Sequence, residues 1–248
     1  MLHIEGSSEM PDHVAPLLDQ QAYRHICATL QKRLQPITLV AVSKTRPAAA
    51  ISALYQLGQR HFGENQVPEA LEKMQQLQHL EHLQWHFIGQ IQRNKTRAIA
   101  EHFDWVQSVD RSVLIERLAA QRPGKLAPLN VLIQVNVDAE PQKAGCTPDQ
   151  AADLCLQVLR HQTLRLRGLM AIPADHDDAG LKQASFDRLA RCYAHCQNQC
   201  QRENQTADIG LDTLSMGMSG DWQQAIDCGS NMVRIGSAIF GQRNAGSA

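Results

Sequence analysis

Three short stretches carry side chains suited to covalent and anion-binding chemistry. The first is Thr38-Leu39-Val40-Ala41-Val42-Ser43-Lys44-Thr45-Arg46-Pro47, an apolar, β-branched run that ends in a hydroxyl, an amine and a guanidinium. Such a run reads as a strand buried on both faces, and Pro47 suits the start of a helix, where a missing N–H costs nothing. Lys44 therefore falls where a buried strand stops, the edge at which parallel α/β folds do their chemistry. An amine over an apolar barrel mouth is partly desolvated, which favours its neutral form, and a neutral amine condenses with an aldehyde to a Schiff base. The second stretch is Ser215-Met216-Gly217-Met218-Ser219-Gly220. Its glycines let the backbone approach a ligand closely and its serines offer hydroxyl donors. The third is Arg234-Ile235-Gly236-Ser237-Ala238. Gly236 and Ser237 open a helical turn, whose N–H groups and positive dipole end attract phosphate. Arg234, two residues earlier, is expected beside the ring of a ligand, where its guanidinium would disfavour protonation of a pyridine nitrogen. Taken singly, the three also read as a solvated strand cap, a turn and a rim ion pair.

These residues can act together only if the chain folds them onto one rim. After a polar leader over residues 1–11, Asp12 to Leu34 reads as a helix with Val14, Leu17, Leu18, Ile26 and Leu30 on its apolar face. Strands are expected from Thr38 to Lys44, Arg60 to Gly63, Gln84 to Ile88, Trp105 to Ser108, Asn130 to Asn136, Leu164 to Ile172, Thr213 to Ser215 and Met232 to Ile235. Between them lie helices over Pro47 to Leu57 and Val67 to Leu80, then one capped by Asn94 running to Glu101 and one capped by Asp110 running to Ala120. Further helices run from Thr147-Pro148 to Arg160, Leu181 to Glu203 and Gly220-Asp221 to Cys228, with a last turn near Phe240. Strict alternation predicts a parallel sheet with helices outside. Eight such units in 248 residues, against roughly 250 typical of the class, predict a single (β/α)8 TIM-type barrel with an extra N-terminal helix. In a closed barrel the eighth strand lies beside the first. The loops after strands seven and eight then adjoin Lys44, and those loops commonly bind phosphate.

Composition narrows the partners. The formal charge is −1 and the pI about 6.8, so nothing calls for nucleic acid or an anionic membrane. No apolar run approaches the ~20 residues of a membrane span, and the N-terminus lacks a signal peptide's basic and apolar regions. Seven scattered cysteines, an odd number, agree with a reducing compartment. A cytoplasmic protein of one domain over residues 1–248 is expected.

The chain resembles the pyridoxal phosphate homeostasis proteins, which are similar to the barrel domain of alanine racemase without its second, β-rich domain. The likeness rests on Val40-Ala41-Val42-Ser43-Lys44-Thr45, Phe62-Gly63-Glu64-Asn65, Trp85-His86-Phe87-Ile88-Gly89-Gln90-Ile91-Gln92-Arg93-Asn94-Lys95, Gly168-Leu169-Met170-Ala171-Ile172, Ser215-Met216-Gly217-Met218-Ser219 and Met232-Val233-Arg234-Ile235-Gly236-Ser237-Ala238-Ile239-Phe240-Gly241. These segments span nearly the whole chain, in order. The resemblance implies a fold-type III barrel that binds pyridoxal 5′-phosphate (PLP), with Lys44 as the Schiff-base lysine and Asn65 by the cofactor ring. It places Ser219, Gly236 and Ser237 at the phosphate, Ser215 nearby and Arg234 at the pyridine nitrogen. Family members often have threonine at the position of Ser237, which keeps the hydroxyl. The implied function is buffering PLP or delivering it to apo PLP-dependent enzymes, without established turnover. Racemisation on such a barrel needs acid–base groups on both faces of the ring. The chain ends at Ala248, soon after the barrel closes, so a monomer without a second domain is expected. The rival readings are a fold-type III amino-acid racemase and a Schiff-base aldolase acting on a phosphorylated sugar.

Other clusters read as structural. Cys192, Cys196 and Cys200 extend an apolar helix stripe with Leu181, Ala184 and Leu189 rather than forming a metal face. His79, His82 and His86 straddle a helix-to-strand transition and share no face. Arg93, Lys95 and Arg97 lack the interleaved aromatics of an RNA-binding surface. No metal is expected, and Asn94, Lys95 and Cys146 carry no role derived from their chemistry.

Overall fold

Short apolar runs with a period of two leave one side chain facing inward and the next outward, and that alternation builds the molecule. The computed structural model describes residues 18–174, 178–204 and 210–242; the leader over residues 1–11, Val14 and Leu17 lie outside them. Helix α1 (Gln20–Gln31) precedes β1 (Thr38–Val42), α2 (Ala48–Gln56), β2 (His61–Glu64), α3 (Val67–Gln76), β3 (Gln84–Phe87), α4 (Thr96–His102) and β4 (Trp105–Val109). Then follow α5 (Ser112–Gln121), β5 (Leu129–Gln134), α6 (Pro148–Leu159), β6 (Leu164–Met170), α7 (Ala179–Asn204), β7 (Thr213–Ser215), α8 (Trp222–Asp227), β8 (Met232–Ile235) and α9 (Ser237–Phe240). The strands form a closed parallel barrel in chain order, and β1 closes it against β8 with Val40 opposite Arg234 and Ala41 opposite Ile235.

Two apolar layers follow from the alternation. Val40, Trp105, Leu132, Met170 and Met232 form one buried cluster inside the barrel. Their neighbours Leu39, Ala41, Val106, Ile133, Leu169 and Val233 belong to a second, larger cluster shared with the helices. Helix α1 joins the opposite end of the chain: the Asp19 amide donates to the Ile239 carbonyl at 2.7 Å.

Several expected boundaries move for local reasons. Helix α1 starts after Asp19, whose carboxylate accepts the Ala22 amide at 2.9 Å; the expected start at Asp12 lies outside the described residues. Asn94 is exposed and caps nothing; a 3₁₀ turn over Arg93–Lys95 leads into α4, and the Thr96 hydroxyl donates to the Arg93 carbonyl at 2.9 Å. Asp110 does not cap α5 either, because its carboxylate pairs with Arg111 at 2.6 Å and Arg111 is the N-cap residue. Leu181 is 54% exposed and lies outside the helix stripe, whereas Leu189, Cys192, Cys196 and Cys200 are buried.

Gly168 is a point where the barrel admits no side chain. It sits at φ +149°, beside the register shift between β5 and β6, and a Cβ there would lie 1.8 Å from the Thr213 carbonyl oxygen. Gly168→Ala is expected to lower stability by about 3 kcal/mol or more. Gly124→Ala, where a Cβ meets nothing within 4 Å, should stay within about 0.5 kcal/mol of the parent. Urea unfolding of the two variants checks the difference.

Candidate functional site

Strand β1 ends in a tight turn that presents Lys44. The Arg46 amide donates to the Ser43 carbonyl at 3.0 Å, so Lys44 and Thr45 are the central residues. Thr45 has φ +63°, an uncommon left-handed conformation for a β-branched residue that costs about 1–3 kcal/mol. Ser43 is fully buried, whereas Val42 and Lys44 on either side of it line the barrel mouth. The Arg46 guanidinium donates to the carbonyls of Gly241 at 2.6 Å and Gln242 at 3.2 Å. The turn after the first strand is thereby tied to the segment after the last helix.

A cavity of about 690 Å³ opens at this mouth, and its wall includes Lys44, Asn65, Ser219, Arg234, Gly236 and Ser237. The amine and the Ser-Gly loops expected to cradle an anion therefore share one space. Gly236 fits because a Cβ there would lie 3.2 Å from the Val42 carbonyl oxygen, tighter than an ordinary contact. Ser219 bridges the two loops, its hydroxyl accepting the Ala238 amide at 3.3 Å, which leaves its own O–H to donate. Ser215 is not on the wall: it is fully buried beneath Arg234. Lys143 reaches the same cavity, pairs with Glu140 and donates to the Pro173 carbonyl at 3.0 Å. Nothing in its sequence neighbourhood marks it as a rim residue.

Arg234 sits at the head of a buried polar string inside the barrel. Its Nη2 donates to the Ala171 carbonyl at 2.8 Å and its Nη1 to Ser215 Oγ at 2.5 Å. Ser215 donates to Gln107 Oε1 at 2.8 Å, and Gln107 Nε2 faces His86 Nδ1 at 2.9 Å. His86 Nε2 meets His61 Nδ1 at 2.9 Å. An amide N–H facing Nδ1 makes that nitrogen the acceptor, so the neutral His86 carries its proton on Nε2 and donates to His61. Every bond then donates in one direction, from Arg234 towards His61. Burial brings the Arg234 guanidinium down to about 10, with Asp221 opposing the fall, which leaves it cationic at neutral pH. Burial, reinforced by the neighbouring His61, holds His86 well below its ordinary 6.5, so the string adds no second positive charge.

The remaining clusters do not join the cavity. His79 and His82 are exposed while His86 belongs to the string, and Asn94, Arg93 and Arg97 are exposed. Among the described residues no three His, Cys, Asp or Glu side chains are grouped to hold a metal ion. Cys146 is buried, its thiol pushed up to about 12 by burial. His61 and Gln107 went unmarked in the sequence because their partners, His86 and Ser215, lie on other strands far along the chain.

Comparison with known proteins gives a consistent result. The family described as alanine racemase, N-terminal domain, matches residues 18–244. The pyridoxal phosphate homeostasis protein of Haemophilus influenzae is 44% identical over 228 residues, 92% of this chain and 94% of the relative. Its counterpart in Pseudomonas aeruginosa is 49% identical over 211 residues, 85% of this chain and 86% of the relative. PipY of Synechococcus elongatus, solved without PLP and with PLP bound, is 40% identical, with TM-scores of 0.79 and 0.77 over 90% of this chain and 100% of that one. Alanine racemase of Corynebacterium glutamicum shares the fold at 15% identity, with a TM-score of 0.65 over 93% of this chain and 64% of its own.

The neutral histidines give the barrel a pH dependence. Burial lowers His61 as well as His86, so below about 6.5 the unfolded chain takes up protons that the folded barrel refuses. Their contribution is intact above that pH and is lost as pH falls below it, by up to about 1.4 kcal/mol per pH unit per refused proton. Buried Glu64 and Asp104, whose carboxyls are raised by burial, act in the opposite sense, so a variant isolates the effect. Urea unfolding at about pH 7.5 and about pH 5.5 should show a smaller loss of stability for His86→Gln than for the parent.

Proposed function

The chain belongs to the family of pyridoxal phosphate homeostasis proteins, built on the alanine racemase N-terminal domain, and from this we propose that it binds PLP and serves intracellular PLP homeostasis. The observation that carries this reading is the single cavity shared by the Lys44 turn, the Ser219 and Gly236-Ser237 loops and the buried Arg234 guanidinium. PLP, when bound, supplies an aldehyde for covalent capture by an amine and a phosphate for anchoring.

The donor set fits that ligand. Lys44 is the amine for covalent attachment. The hydroxyls of Ser219 and Ser237, with the backbone at Gly236, are the donors for the phosphate. Arg234 lines the cavity as its buried cation and would disfavour protonation of the pyridine nitrogen by charge repulsion. Ser215 acts through Arg234, whose guanidinium it holds. Asn65 lines the same cavity and would lie by the cofactor ring. In its finer form the proposal is a cytoplasmic monomer that buffers PLP or delivers it to apo PLP-dependent enzymes. Among the described residues no helix is long and apolar enough to cross a membrane.

Adding PLP to cofactor-free protein should produce a long-wavelength absorption band that borohydride fixes onto Lys44, as peptide mapping would locate. Lys44→Ala should abolish the reducible adduct; retention at full stoichiometry overturns the assignment. Ser219→Ala and Ser237→Ala should each weaken PLP binding by about 5–10-fold while the covalent position stays at Lys44. Solvent deuterium entering the α position of a free amino acid no faster than with PLP alone would exclude the racemase alternative.

A further inference from the structure

Behind the Lys44 turn, on the helix side of β1 and β2, lies a buried ionic cluster. Lys73, on α3 and 5% exposed, donates to the Ser43 carbonyl at 2.8 Å, to Glu64 Oε1 at 2.8 Å and to Glu69 Oε1 at 2.6 Å. An ammonium has three hydrogens, and all three are placed. Glu64, fully buried, also accepts the Ser43 hydroxyl at 2.6 Å. Glu69 also accepts the backbone amide of Thr45 at 2.5 Å. The residues before and after Lys44 are thus tied to one ammonium: Ser43 directly, and Thr45 through the Glu69 carboxylate.

Packing alone does not call for this arrangement. A buried lysine with two carboxylates is expensive to desolvate, and an apolar trio of similar volume fills such a space at least as well. The backbone supplies a reason. Ser43 offers the carbonyl that closes the turn, and Thr45 holds the left-handed φ of +63° that directs it. A carboxylate on the Thr45 amide and an ammonium on the Ser43 carbonyl are charge-assisted bonds, stronger than neutral ones, and they oppose the relaxation of a strained residue.

We propose that Lys73 and Glu69 are positioning residues for Lys44, fixing the Ser43-Lys44-Thr45 backbone so that the amine faces the cavity before any ligand arrives. The proposal rests on the reading of Lys44 as the PLP-binding lysine. A turn fixed in advance removes part of the ordering cost of capture. Neither residue touches the cavity, so their effect passes through the backbone on either side of Lys44.

Hydrogen exchange at the Thr45 amide in ligand-free protein tests the clamp without the cofactor. Glu69→Ala leaves Lys73 paired with Glu64 and Ser43, and it should speed that exchange by about tenfold or more. Glu69→Gln, which keeps an acceptor oxygen, should recover most of the difference. The rate at which PLP forms a borohydride-fixed adduct on Lys44 should follow the same order, about tenfold slower in Glu69→Ala. Lys73→Met should shift both measurements in the same direction; if that variant does not fold, the Glu69 pair decides alone. Unchanged Thr45 exchange and an unchanged capture rate in Glu69→Ala would overturn the positioning role. A parent protein that forms no adduct on Lys44 would instead overturn the cofactor reading, and the exchange measurement would still decide whether the clamp holds the turn.

Discussion

A strand that ends in lysine has no special chemistry of its own, and neither does a serine-glycine loop. Parallel hydrogen bonding between β1 and β8 makes them one site, by setting Val40 against Arg234 and Ala41 against Ile235 at the closure of the barrel. The remaining contacts reinforce that seam. A Cβ on Gly236 would crowd the Val42 carbonyl, and Arg46 reaches across to the carbonyls of Gly241 and Gln242. The cavity is a product of the closure, with one wall from each end of the strand order.

Closure also sets the electrostatics. The guanidinium of Arg234 is buried at the upper end of the barrel interior, and a buried guanidinium needs partners to remain charged. Ser215 and the Ala171 carbonyl supply them, and Ser215 can accept from Arg234 because Gln107 takes its proton. The order continues to His86 and His61, whose rings stay neutral through burial. A protonated His86 would have no acceptor to offer Gln107 and would place a second cation in the same low-dielectric column. The string therefore requires neutral histidines as firmly as it requires a charged arginine.

Much of this was legible in the sequence. The alternation of apolar strands with amphipathic helices gave the number of strands, and strand count alone predicted that Lys44 and the Gly236-Ser237 loop would be neighbours. The apolar run before Lys44 marked its end by an abrupt change in chemistry. The residues that escaped notice share a different property: their partners are remote and no local pattern announces them. Lys73 and Glu69 stand four apart on a helix, the spacing of many exposed ion pairs, yet Lys73 is buried because Ser43, just past β1, and Glu64, at the end of β2, face it. Gln107 stands within an apolar strand without a signature. Asn94 and Asp110 failed as caps because capping competes with nearby alternatives, a 3₁₀ turn in one case and an arginine in the other. Ser215 had the right residue type, but inward and outward positions alternate too finely for the sequence to tell wall from floor.

The seam between β1 and β8 has a consequence for how the protein is made. Translation delivers β1 before any other strand and β8 after all of them, so one edge of an apolar five-residue strand stays without its partner while the ribosome completes the intervening βα units. Open edges of that kind invite pairing with other chains. The lysine-bearing turn emerges early, but Arg46 finds its two carbonyls only after the final helix has left the exit tunnel. Cofactor capture by the nascent polypeptide must therefore wait until β8, α9 and the Gly241-Gln242 segment have been made.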